Sequence, residues 1–145
     1  MEQITKTLNQ FLADLNVFYR KLQNYHWNIT GEHFFVLHQK LEEYYDDINE
    51  QIDEIAEHIL MLGCQPMGTI KGYLEISKIK EAKDEKIKSD LVIKSIIDDF
   101  TLLRQEAIQI KKLADENQLF ETSSLMDDYM SSYTKKIWML NQSIQ

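Results

Sequence analysis

One proline and four glycines in 145 residues leave the chain few places to break a helix. Such a composition suits long helices better than a multi-stranded sheet. The lone Cys64 excludes an internal disulfide, which fits a reducing compartment. No apolar run approaches the ~20 residues a membrane span needs. The N-terminus lacks a basic segment followed by an apolar core, so a secretory leader is not expected and a cytoplasmic protein is. In that setting the triplets Asn28-Ile29-Thr30 and Asn141-Gln142-Ser143 carry no meaning as glycosylation acceptors. Clustered positive charge is missing too. The net charge is −8, and the ends MEQITKTLNQ and NQSIQ are nearly uncharged. Phosphate backbones are held by lysines and arginines in number, so DNA is not an expected partner.

What is present is apolar and periodic. Hydrophobic residues make up 43% and aromatics 10%, which excludes disorder, and the length suits a single domain over 1–145. A first helical stripe runs Ile4, Leu8, Phe11, Leu15, Phe18, Leu22, Tyr25, with an expected stop and glycine C-cap at Thr30-Gly31. A second, from about His33 to Leu62, carries Leu37, Leu41, Tyr44, Ile48, Ile52, Ile55 and Ile59. Gly63, Pro66, Gly68 and Gly72 then break the pattern, and a short helix is expected on Tyr73-Leu74-Ile76. The third stripe includes Ile93, Ile96, Phe100, Leu103, Ala107 and Ile110 and ends near Asn117. The fourth carries Met126, Met130, Tyr133, Ile137, Leu140 and Ile144. The connections within the first and last pairs are short, so each pair should pack antiparallel. The middle connection exceeds twenty residues and can cross a whole bundle. An all-α four-helix bundle with one long crossover is the ferritin-like arrangement.

The second helix holds an acid-rich run, HQKLEEYYDDINEQIDEIAEH. At 100° per residue its polar groups separate into two faces. Glu43, Asp47, Glu50 and Glu54 form an ordinary solvated face. His38, Glu42, Asn49, Asp53 and Glu57 lie together on another, rotated by roughly 120° from the apolar stripe. His38/Glu42 and Asp53/Glu57 are each spaced i,i+4, so each pair can grip an ion between adjacent turns. Glu42 and Asp53 are about 16 Å apart along the axis, and metal–ligand bonds are only ~2 Å, so one chain cannot close both pairs on one ion. Two copies of the helix crossing antiparallel near Asp47 and Ile48 could, generating two equal sites by two-fold symmetry. His26, ending the first helix in NYHWN, can join beside His38. Two imidazoles and three carboxylates suit Fe(II), Mn(II) or Zn(II).

Other readings compete. A charge run is as often a solvated helix face, and a lone helix-end histidine such as His26 is more often hydrogen-bonded than metal-bound. Trp27 and Trp138 read as packing residues, Trp138 off its helix's stripe and so pointing to a neighbouring subunit. His33 and His58 read as non-ligands, His58 on the solvent side. Cys64 reads as incidental and the six methionines mostly as core filler. No Glu-x-x-His occurs, which disfavours a di-iron centre inside one bundle.

The stretch NYHWNITGEHFFVLHQKLEEYYDDINEQIDEIAEHI resembles the signature of the Dps family, small ferritin-like proteins of starved bacterial cells. PMGTIKGYLEISKIKEA resembles that family's crossover helix, and KKIWML the end of its last helix, so the similarity spans essentially the chain. The resemblance implies a hollow shell of twelve subunits built from two-fold dimers. It implies ferroxidase ligands at His26, His38, Glu42, Asp53 and Glu57, with Glu42 standing where the family often has aspartate. It further implies an enzyme that oxidises Fe(II), preferentially with hydrogen peroxide, and stores ferric iron against oxidative stress. Family members that bind DNA directly use Lys/Arg-rich tails, absent here. The family's iron-admitting pore is lined by acids near the last turn, for which Glu121 and Asp128 are the candidates in ADENQLFETSSLMDDYM. A non-catalytic shell that sequesters Zn(II) or Fe(II), and a purely structural helical oligomer, are the alternatives.

Overall fold

A computed structural model describes residues 1–144. Helix α1 (Glu2–Asn28) is followed by a two-residue strand β1 (Ile29–Thr30), then α2 (Phe34–Met61). The crossover carries α3 (Ile70–Ile76) and β2 (Ile87–Lys88), and α4 (Ser89–Glu116) and α5 (Phe120–Gln142) complete the chain. α1 packs chiefly on α2 and α4 on α5, while α1 against α4 joins the two hairpins. This is the expected all-α bundle with one long crossover and a short helix inside it. Among the described residues no helix is long and apolar enough to cross a membrane.

The stripes fill the core. Ile4, Leu8, Phe11, Leu15, Phe18 and Leu22 from α1 meet Ile96, Phe100, Leu103 and Ile110 from α4 in one buried cluster. Phe100 is its hub, with Phe18 edge-on at 5.0 Å, Tyr44 edge-on at 5.4 Å and Tyr133 at 5.8 Å between ring centroids. Each such pair adds about 0.5–1.5 kcal/mol beyond area burial. The methionine expectation is corrected: Met126 alone of the six is fully buried, and Met1, Met61 and Met139 are exposed.

The end of α1 also differs from expectation. The helix stops at Asn28 rather than Thr30-Gly31, and its C-cap is an extended Ile29 rather than a glycine. Ile29 and Thr30 leave the helix to pair in parallel with Ile87 and Lys88. Two residues have no periodicity to announce them. Gly31, at φ +115°, makes the turn into α2, and a side chain there would press on the Ser89 hydroxyl.

The crossover is pinned by a buried acid. Asp14, fully buried on α1, accepts hydrogen bonds from Ser77 Oγ at 2.8 Å and from the backbone N–H groups of Lys78 at 2.6 Å and Ile79 at 3.2 Å. It thus holds the chain where α3 ends. Beside it on α4, Glu106 is also buried, and burial first, then the nearby Asp14 carboxylate, pushes its carboxyl up to about 9. The folded chain therefore keeps a proton on Glu106 that the unfolded chain releases above its ordinary pKa of 4.5. Between those values the unfolded state binds fewer protons, so this group makes stability fall as pH rises. Glu106→Gln should remove that slope: in metal-free buffer its melting temperature should gain on wild type progressively from pH 5 to about 9. Parallel melting profiles across that range would contradict the assignment.

Candidate metal centre

The short turn after β1 folds α2 back along α1, and that reversal sets two imidazoles face to face. The rings of His26 and His38 stack with centroids 3.7 Å apart and planes 10° from parallel. Phe34 stacks on His38 at 5.1 Å, and Tyr45 meets His26 edge-on at 5.5 Å. His26 Nδ1 donates to the His38 carbonyl at 2.5 Å, and His38 Nδ1 donates to the His26 carbonyl at 2.7 Å. The His26 carbonyl belongs to the last turn of α1, where helix carbonyls lack an in-helix donor, so His38 serves as its cap.

These bonds decide the tautomers. A carbonyl can only accept, so each Nδ1 must carry the proton, and in the neutral ring each Nε2 is left with a bare lone pair. A backbone-bonded Nδ1 with a free Nε2 is how proteins prepare histidine for a metal. His26 Nε2 stands 3.7 Å from Glu42 Oε1, longer than a hydrogen bond and a gap that an ion about 2 Å from each can span. His38 Nε2 has no hydrogen bond or ion pair among the described residues. The residues present therefore fit a divalent ion with mixed nitrogen and oxygen ligation.

Of the five candidate ligands, the fold brings three together: His26, His38 and Glu42. Asp53 and Glu57 are exposed farther along α2, and among the described residues they make no hydrogen bond or ion pair. Among the described residues no group of three or more His, Cys, Asp or Glu is arranged to hold a metal ion within one chain, so His26, His38 and Glu42 are not by themselves a ligand set. The remaining carboxylates must come from outside it if all five are to act together.

Several neighbours depart from the sequence reading. His58 is buried rather than on the solvent side; its Nε2 lies 2.6 Å from Thr122 Oγ1, and burial lowers its pKa. Glu54 is not merely solvated, since it accepts the phenol proton of Tyr129. Tyr133, fully buried, likewise donates to Gln51 Oε1 at 2.5 Å, and Asp47 pairs with Lys136 at 3.5 Å. Periodicity on α2 alone could not reveal these, because α5 supplies every partner. Trp27 is 56% exposed, with the Arg20 guanidinium 6.0 Å from its ring centre, and Trp138 is 60% exposed. Neither buries within the chain. Phe35, Val36, Leu60, Met61 and Ile70 are exposed as well. His33 is exposed at the N-cap of α2, and Glu121 and Asp128 are exposed on α5. Cys64 is half-buried, with the Thr5 hydroxyl 3.0 Å from its sulfur.

Comparison with known proteins gives a consistent result. A family profile, the ferritin-like domain, matches residues 5–145. The "DNA protection during starvation protein 2" of Bacillus anthracis is 37% identical over 96% of this chain and 94% of its own length. A Dps protein of Vibrio cholerae, described as a member of a broad superfamily of ferritin-like diiron-carboxylate proteins, superposes with a TM-score of 0.95. It is 40% identical, over 99% of this chain and 90% of that one. Antigen TpF1 of Treponema pallidum superposes at 0.97 with 36% identity, over 99% and 92%.

The free Nε2 atoms distinguish ligands from bystanders. With Co(II) as a visible-absorbing probe, His38→Ala should weaken binding by about tenfold or more, through the lost nitrogen and the released His26 carbonyl. His33→Ala should leave the titration unchanged. Equal weakening by both would place the ion elsewhere.

Proposed function

The chain belongs to the ferritin-like domain family, among the Dps proteins, and from that membership we propose that it is an iron-storing ferroxidase whose site is shared between two subunits. The observation that carries the reading is the half-site itself. Two imidazoles with their Nδ1 atoms engaged sit beside Glu42, while Asp53 and Glu57 stand exposed on the same helix, unpaired among the described residues. Two copies of α2 crossing antiparallel supply to each half-site the carboxylates it lacks. Iron is the substrate. Each of two Fe(II) ions gives up one electron, both to one hydrogen peroxide, whose O–O bond breaks to two waters with the uptake of two protons. Passing both electrons to one peroxide releases no hydroxyl radical, which makes storage protective. The carboxylates stabilise the added charge on iron, and acids of the shell's interior receive the ferric product.

The exposed apolar residues and both tryptophans favour a closed homo-oligomer, and the family membership favours twelve subunits. A net charge of −8 without basic tails disfavours DNA as a partner. The single cysteine suits the cytoplasm. A second reading rests on the same ligands: two imidazoles with carboxylates also suit Zn(II), and the protein would then sequester metal without turnover.

Mixed oligomers test the shared site, and peroxide-driven Fe(III) absorbance after anaerobic Fe(II) loading reads out turnover. Wild type should respond rapidly, whereas a sequestering shell should not. His38→Ala and Glu57→Ala should each be nearly inactive alone. In a co-assembled two-fold pair one site carries both lesions. The other joins intact His26, His38 and Glu42 to the partner's intact carboxylates, so part of the activity should return. No return, with mixing verified by mass spectrometry, would mean the site lies within one chain.

A further inference from the structure

Phe35, Asp46, Asn49 and Leu60 share the face of α2 that carries His38 and the three candidate carboxylates. Phe35 is 86% exposed and Leu60 56%. Asp46 and Asn49 are exposed too, and among the described residues neither makes a hydrogen bond or an ion pair. The adjacent acidic face behaves differently, since Asp47 meets Lys136 and Glu54 meets Tyr129, both on α5. One polar face of α2 is therefore engaged within the bundle, and the other is left uncovered.

The uncovered face has a symmetry that its ligands alone do not show. About the midpoint between Asp47 and Ile48, Phe35 matches Leu60, His38 matches Glu57, Glu42 matches Asp53, and Asp46 matches Asn49. Helix periodicity makes such spacings recur, but it does not choose the residue types. Against an antiparallel copy, apolar meets apolar, imidazole meets carboxylate and amide meets carboxylate. Glu42 with Asp53 is the one like-charged match, and an ion between them offsets it. A parallel copy would set His38 on His38 and Asp46 on Asp46.

Distances limit how the copies can cross. His38 and Glu57 lie ~14 Å from the midpoint along the axis, and Phe35 and Leu60 ~19 Å. A crossing near 50° would part His38 from its match by about 12 Å, too far to share an ion. A crossing near 20° parts them by about 5 Å, and the apolar ends by about 6–7 Å, which side chains can bridge.

We propose that a second copy of this chain docks on this face in a single register. Asn49 against the partner's Asp46 sets it at the axis, and Phe35 against the partner's Leu60 closes each end. The inference rests on the antiparallel crossing proposed above and assigns what fixes it. The Asn49 amide donates to a carboxylate, whereas an acid at that position would crowd four carboxylates at the axis. A polar pair inside a packed helix contact specifies register in this way. The apolar contact lies one turn outside His38 and the partner's Glu57, so it covers that end of the metal site from solvent.

Cross-linking of the full chain tests the register, in a Cys64→Ser background and metal-free buffer. With Phe35→Cys and Leu60→Cys together, a short bismaleimide should give covalent dimers on a denaturing gel. Either cysteine alone should give monomers, because like positions then lie ~37 Å apart, twenty-five residues at about 1.5 Å each. Adding Asn49→Asp should lower the cross-linked fraction severalfold, and adding Asp46→Asn to that should restore it. Should the paired cysteines impair assembly, Gln39→Cys with Ala56→Cys, matched about the same midpoint, carries the test. No dimer from either pair, dimers from a single cysteine, or an unchanged yield with Asn49→Asp would each overturn the proposal. Cross-linking without Fe(II) oxidation would leave the register standing and remove the ferroxidase reading. Activity restored in mixed oligomers without any cross-link would do the reverse.

Discussion

The reciprocal hydrogen bonds between His26 and His38 hold together both the fold and the chemistry at one end of the bundle. Each imidazole hydrogen-bonds a backbone carbonyl of the other's helix, so the last turn of α1 and the first turns of α2 are locked in register. The same two bonds place both protons on Nδ1 and leave both Nε2 atoms free. Structure and reactivity are therefore one constraint: any shift of α2 along α1 that broke the bonds would also reset the tautomers. Phe34 and Tyr45 reinforce it by fixing the ring planes.

The straightness of α2 keeps the proposed site from closing within one chain. A straight helix cannot bring residues eleven apart to one ion; at 1.5 Å per residue the distance is about 16 Å. Asp53 and Glu57 are held rigidly out of reach by the same α2 that presents Glu42. A half-site that cannot close on itself, on a chain with exposed Trp27, Trp138 and Phe35, is consistent with an assembly that supplies the other half.

Much of this was legible in the sequence because long amphipathic helices announce themselves. All four long helices and the crossover helix lie where the apolar spacing puts them, and His26, at the end of α1 before a short turn, meets His38 and Glu42 at the start of α2 as that turn requires. What escaped the sequence depends on a second element. The β1–β2 pairing joins residues 29–30 to 87–88, with no period in either. His58 is buried because Thr122 of α5 lies over it, and Glu54 is engaged because Tyr129 does; neither follows from α2 alone. The Asp14–Glu106 pair was hidden because a single acid in an apolar helix carries no pattern, although an acid at a core register position is the signal that could have flagged it.

Polar groups buried in this bundle serve different ends. Asp14 fixes the crossover, Tyr133 and Gln51 join α5 to α2, and the two histidines tie α1 to α2 through their Nδ1 atoms. The central claim concerns the last of these. Crystals soaked anaerobically in Fe(II) and measured at the iron absorption edge test it most directly. The account predicts anomalous density enclosed by His26, His38 and Glu42 of one chain and Asp53 and Glu57 of its two-fold neighbour. Iron bound wholly by residues of a single chain, or absent from the histidine pair, would contradict it.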